Sequence, residues 1–166
     1  MEKKKIENLS ARLIASRQAG RRSFSDIDHR LQTVLLKDQV EWINDSKSTT
    51  LASTAYALEV IQKPIIWIAG TNDSKRDFSV VEKLIRMKVC KIICYGKFDT
   101  SIKYSLSSVV DGYAYKNELS DAVEIAKQWS HKGYAVLFSP GCSSYEKFDD
   151  YKDRGNEFIN LVNQLK

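Results

Sequence analysis

From Pro64 onward the sequence repeats one unit: a short apolar run, a polar loop, and a longer stretch whose apolar residues fall at helical spacing. Few folds accept that rhythm. Strands that alternate with helices pair in parallel, because each helix returns the chain to the same edge of the sheet. The apolar runs Ile65–Ala69, Lys91–Tyr95, Val109–Tyr113 and Ala135–Phe138 are the expected strands. They suit strands covered by helices on both faces. The expected helices are Ser79–Lys88, a short one over Ser101–Leu106, Leu119–Ser130, and a last one over Phe148–Leu165. Leu119, Ala122, Val123, Ala126 and Trp129 form a core-facing stripe, and Gly133 follows as a stop.

The region before Pro64 reads differently. Ile6, Leu9, Leu13 and Ile14 give the segment Lys3 to Arg22 one apolar helical stripe, with Gly20 as a stop. A polar link over 23–30 follows. Leu31–Leu36 and Gln39–Ile43 then read as two strands joined by the charged turn Lys37-Asp38, which predicts a β-hairpin. Leu51, Ala52, Ala55, Leu58, Val60 and Ile61 recur at helical spacing, with Ser48, Thr49 or Thr50 as N-cap. The expected fold class is α/β: a three-layer sandwich with a mostly parallel sheet, entered by an N-terminal β-hairpin, with the opening helix outside the main body.

A chain of 166 residues makes about one domain, large enough to bury a core without disulfides. The longest apolar runs, such as Pro64 to Gly70, are strand-sized, so no membrane span is expected. Lys3, Lys4 and Lys5 precede no apolar segment of the secretory kind, which places the chain in the cytoplasm. Cys90, Cys94 and Cys142 are an odd number without CxxC or Cys/His spacing, so neither a disulfide framework nor a metal site is expected. The net charge of +5 is spread along the chain without an aromatic-interleaved basic stripe, and no nucleic-acid partner is expected. No GxxxxGK[ST] or GxGxxG run occurs, so the chain carries no nucleotide loop of either kind.

Three polar loops follow strands and should open on one edge of a parallel sheet, where ligands gather. The first is Asn44-Asp45-Ser46-Lys47-Ser48-Thr49-Thr50, an acid, a base and hydroxyls at a strand-to-helix junction. The second runs from Gly70 to Phe78 and carries Lys75 and Arg76, and the third is Ser139-Pro140-Gly141-Cys142-Ser143-Ser144. Cys142 has no base and reads as inert. His29 and His131 show no evident acid or metal partner, and His131 reads as a solvated helix end.

Asp28-His29-Arg30-Leu31, Ile43-Asn44-Asp45-Ser46-Lys47-Ser48-Thr49, Leu137 to Ser144, and Asp153-Arg154-Gly155-Asn156-Glu157-Phe158 occur in the order and at separations that resemble the C-terminal domain of the Mur ligases. Among these the nearest resemblance is to the branch that adds D-glutamate. It covers about residues 26–166, while residues 1–25 resemble the end of a preceding central domain, as a helical remnant or linker. The resemblance implies a Rossmann-like lid that closes on other domains holding ATP, Mg2+ and UDP-N-acetylmuramoyl-L-alanine. ATP activates a carboxylate as an acyl phosphate, and the amine of D-glutamate attacks it.

By resemblance, Arg30 and Asp45 face the nucleotide, Lys47 the transferring phosphate, and Thr49, Ser144 and Tyr151 the D-glutamate. Each has a plainer reading: a surface ion pair for Arg30, caps for Asp45, Thr49 and Ser144, core for Tyr151. Arg154 is read as structural, tying the last helix to the sheet. The family's glutamate-binding lysine falls on Ser74 when counted back from Phe78, so Lys75 serves only if the loop absorbs one residue. The domain is expected to be monomeric, to bind no metal or cofactor tightly, and to be inactive alone. The alternative is a stand-alone, non-catalytic ligand-binding module derived from such a lid.

Overall fold

A computed structural model describes residues 27–73 and 75–165, so the expected N-terminal helix and Ser74 lie outside the described residues. The chain runs β1 (Gln32–Lys37), β2 (Val40–Asn44), α1 (Leu51–Val60), β3 (Ile65–Gly70), α2 (Ser79–Lys88), β4 (Val89–Tyr95), α3 (Thr100–Ser107), β5 (Gly112–Lys116), α4 (Leu119–Trp129), β6 (Ala135–Phe138) and α5 (Tyr151–Gln164). One six-stranded sheet has the order β1-β2-β6-β3-β4-β5. Among the described residues only β1 and β2 pair antiparallel. Their turn has Asp38 and Gln39 both at positive φ, 53° and 61°. That is the backbone twist a tight hairpin needs.

Alternation along the central strands divides the core. Ile65, Trp67 and Ala69 of β3 lie in one apolar cluster with Leu58, Val81, Ile85 and Ile102, whereas Ile66 and Ile68 lie in a second with Ala122, Val123, Phe158 and Val162. Helices α1, α2 and α3 therefore cover one face of the sheet, and α4 and α5 the other. The Phe138 and Phe158 rings stack 4.5 Å apart and fix α5 over β6. This is the expected three-layer arrangement with its hairpin entry.

Two elements begin three residues later than expected, and the boundaries of the other elements shift by two residues or fewer, with the hairpin turn at Asp38-Gln39 rather than Lys37-Asp38. The strand placed at Val109–Tyr113 is Gly112–Lys116 instead. Val109 donates its N–H to the Leu106 carbonyl and completes the turn that ends α3. The pairing alternation begins only at Tyr113, where Tyr113 and Tyr115 face one layer and Ala114 the other. The last helix starts at Tyr151 rather than Phe148, because the Asp150 carboxylate caps it by accepting from Lys152 and Asp153 N–H at 2.7 and 2.8 Å. Lys147 and Phe148 form a separate turn onto the Ser144 carbonyl.

Gly155 is the closest approach in the fold. A Cβ there would overlap the buried His29 imidazole at Nδ1, the nitrogen that already accepts from the Asn44 amide. Alanine is the better helix former by about 1 kcal/mol. Displacing a buried ring from its hydrogen bond costs more, about 1–3 kcal/mol for overpacking. Gly155→Ala is therefore expected to lower the urea midpoint, and an unchanged or raised midpoint would show that the ring gives way freely.

Candidate functional site

Strands β2, β6 and β3 are adjacent and parallel, so their carboxyl ends deliver the three polar loops side by side. The loop after β6 lies in the middle. Gly141 N–H donates to the Ser48 carbonyl of the first loop, and Gly70 N–H, at the start of the second, donates to the Pro140 carbonyl. One continuous floor results.

The first loop is organised by Asp45, which is fully buried. One carboxylate oxygen accepts from Leu31 N–H at 3.2 Å, and the other accepts from the Ser48 hydroxyl at 2.5 Å and the Ser139 hydroxyl at 2.8 Å. Burial pushes its pKa up to about 6. The Ser48 and Ser139 hydroxyls, the Arg30 charge and the Leu31 N–H oppose that shift. Asp45 thus points inward and acts on its neighbours. Arg30, half-buried, donates to the Ser48 hydroxyl at 3.4 Å. It stands between His29 and Leu31, whose φ values of 63° and 46° hold it on a strained turn.

Lys47 N–H donates to the His29 carbonyl, and its ammonium lies 5.8 Å from the centre of the Tyr151 ring. Tyr151 begins α5 and receives the Ser46 hydroxyl on its carbonyl at 2.8 Å. Its ring meets the His29 ring edge-on. His29 therefore has partners that its sequence context did not disclose: the Asn44 amide donates to Nδ1 at 2.9 Å, which leaves the proton of the neutral ring on Nε2. Burial lowers the His29 pKa and favours that neutral form. His131, by contrast, is exposed just beyond α4.

The structure brings Arg30, Asp45, Lys47 and Tyr151 into one connected group. Thr49 is exposed beside Thr50, the residue that caps α1 by accepting from Ser53 N–H at 3.2 Å. Ser144 is buried on the middle loop, and its hydroxyl bonds to no group among the described residues. Lys75 is exposed, while Arg76 next to it turns inward onto carbonyls. Cys142 is buried and its thiol pKa is raised by that burial, in keeping with an inert thiol.

Arg154 is fully buried and links α5 to two loops. It donates to the Ser46 hydroxyl and carbonyl at 3.0 and 2.9 Å, and to the Cys142 and Ser143 carbonyls at 2.9 Å each. Sequence reasoning gave Arg154 a structural role of this kind. It missed Asn44, Arg76 and Asp73. Only the polar density of their loops hinted at them.

Against known proteins, no family model matches the chain. Two solved ligase structures share its fold. One is a murein peptide ligase from Psychrobacter arcticus, at TM-score 0.56 and 9% identity over 84% of this chain and 29% of that one. The other is a bifunctional folylpolyglutamate synthase/dihydrofolate synthase, at TM-score 0.54 and 14% identity over 82% and 32%. The sequence comparison is narrower. The chain is 38% identical over 143 residues to the UDP-N-acetylmuramoylalanine--D-glutamate ligase of Christiangramia forsetii, covering 86% of this chain and 32% of that protein. It is 34% identical over 170 residues to the ligase of the same name from Chlorobium phaeobacteroides strain BS1, covering 97% and 36%. The chain belongs to the Mur ligases and matches their C-terminal domain. It spans about a third of the length of these curated relatives.

Proposed function

We propose that this chain is the amino-acid-binding lid of an ATP-dependent ligase that adds D-glutamate to UDP-N-acetylmuramoyl-L-alanine in peptidoglycan precursor synthesis. The observation that carries this reading is the 38% identity to a D-glutamate ligase over 86% of the chain. The juxtaposition of the three loops supports it. ATP would activate the carboxylate as an acyl phosphate, on which the amine of D-glutamate closes. The chain's own share is charge and position.

Lys47 supplies a point charge for the transferring phosphoryl group, on a backbone fixed through His29. Arg30 meets the nucleotide, and Asp45 holds Arg30 and Ser48 in place from beneath. Thr49, the Ser144 hydroxyl, Lys75 and the Tyr151 edge receive D-glutamate. Among the described residues no three His, Cys, Asp or Glu side chains converge as a metal site. Mg2+ and the UDP-sugar are assigned to the remainder of the ligase. The folylpolyglutamate synthase structure was solved with Mn, AMPPNP and L-glutamate bound. We place the ligase in the cytoplasm as a monomer. Among the described residues no helix is long and apolar enough to cross a membrane.

The test is a titration of the isotope-labelled chain with D-glutamate, followed by amide chemical shifts. Shifts are expected at Thr49, Lys75 and Ser144, weaker with L-glutamate, and no ligation product is expected when ATP and UDP-N-acetylmuramoyl-L-alanine are added. Turnover by the chain alone would refute the lid role, and silence at all three positions would refute the amino-acid site.

A further inference from the structure

The loop ahead of Ser144 is held by guanidinium groups from two sides. Arg154 takes the Cys142 and Ser143 carbonyls, and Arg76 takes those of Pro140 and Gly141 at 3.3 and 2.8 Å. Four successive carbonyls accept from arginine. Arg76 also donates Nε–H to the Asp73 carbonyl at 2.8 Å and Nη2–H to the Gly70 carbonyl at 2.5 Å, with its guanidinium over the Phe78 ring. A lysine has no comparable fork, so one side chain of that kind would not span these acceptors.

The Asp73 carboxylate does not neutralise Arg76. It accepts from Ser143 N–H at 2.8 Å and from the Ser143 hydroxyl at 2.9 Å. Asn72 adds a bond to the Ser143 carbonyl at 3.2 Å. Gly70 lets the two loops meet, because a Cβ there would collide with the Cys142 sulfur. The loop bearing Lys75 is thereby stapled to the residues just before Ser144. Among the described residues the Arg76 charge has no carboxylate within ion-pair distance.

We propose that Arg76 is a positioning residue for the amino-acid site: its guanidinium clamps the Lys75 loop to the Ser144 loop and so sets the shape in which the two loops meet a dicarboxylate ligand. This rests on the D-glutamate reading above. The bland alternative, a surface arginine, does not fit a half-buried group bonded to four carbonyls. Lys75 supplies an exposed charge at the rim, and Arg76 fixes the distance between that rim and Ser144.

The test compares the labelled chain with Arg76→Ala and Arg76→Lys by D-glutamate titration and amide hydrogen exchange. Arg76→Ala is expected to weaken D-glutamate binding by about tenfold, and to speed exchange at Gly70 and Ser143 by about tenfold, each step being a factor of ten in an equilibrium constant. Exchange at Ile93 and Ala126, in the distant core, should stay as in the parent chain. Arg76→Lys keeps the charge and loses the fork, so it should bind as weakly as the alanine variant. Full recovery by lysine would reduce Arg76 to a charge and overturn the clamp, as would unchanged exchange at Gly70 and Ser143. Where Arg76→Ala fails to fold, Arg76→Lys carries both arms. If the parent chain ignores D-glutamate, the ligand reading fails and the exchange arm still decides the clamp.

Discussion

Arg154→Met is expected to cost about 3–4 kcal/mol of folding stability, a large share of the roughly 5–15 kcal/mol typical of a domain. Four hydrogen bonds leave with the guanidinium, and the Ser46 and Cys142 carbonyls lie where water has no ready access. Each buried acceptor left without a donor costs about 1–3 kcal/mol. The Ser143 carbonyl fares better because Asn72 still donates to it. Methionine also removes the penalty of burying a cation, which offsets part of the loss. Lysine should fall between the two, since it keeps the charge and reaches fewer acceptors. Urea unfolding followed by far-UV circular dichroism would give the answer, with a lower midpoint at similar slope as the expected result. A loss below about 1 kcal/mol would mean that the loops find other donors.

The same arginine shows what a sequence can and cannot disclose. Asp153-Arg154-Gly155 marks a place on the last helix, yet Arg154 reaches Ser46 and Gly155 lies against His29, each more than a hundred residues earlier. Periodicity reports which face of a helix is buried, and says nothing of which distant polar group meets it. The strands and helices were legible because alternation and helical spacing are local, and parallel pairing put the three loops on one edge, while the strand order that sets them side by side came only from the fold. β5 was misplaced for a local reason as well: Val109 and Val110 have strand-like side chains but sit in a helix-ending turn. In Asp73-Ser74-Lys75-Arg76 two cations are adjacent, and only the fold shows that Arg76 turns to the carbonyls while Lys75 stays exposed. Asp45 was picked out by its loop in the sequence, and its complete burial was not legible there.

That burial makes folding stability depend on pH in an unusual direction. A carboxyl group whose pKa is raised to about 6 from an ordinary 3.8 binds its proton more tightly in the folded chain than in the unfolded one. Between those values the folded state holds more protons, so stability falls as pH rises from about 4 to about 6, and levels off above. At 1.36 kcal/mol per unit, the difference amounts to about 3 kcal/mol at most. Asp45→Asn removes the titration and keeps the shape, and the Ser48 and Ser139 hydroxyls can rotate to accept from an amide. The stability of the parent chain minus that of the variant should therefore drop by up to about 3 kcal/mol across that interval. Taking the difference cancels His29, whose lowered pKa works in the opposite sense by withdrawing stability as pH falls below its ordinary 6.5. The exposed caps Asp99 and Asp150 have pKa values below the ordinary 3.8 and titrate beneath the window. A carbon-13 titration of the Asp45 carboxyl should show a midpoint near 6, and a midpoint near 4 with parallel stability curves would refute the assignment. At neutral pH the carboxylate is then ionised beside Ser48 and Arg30, at a cost in folding stability.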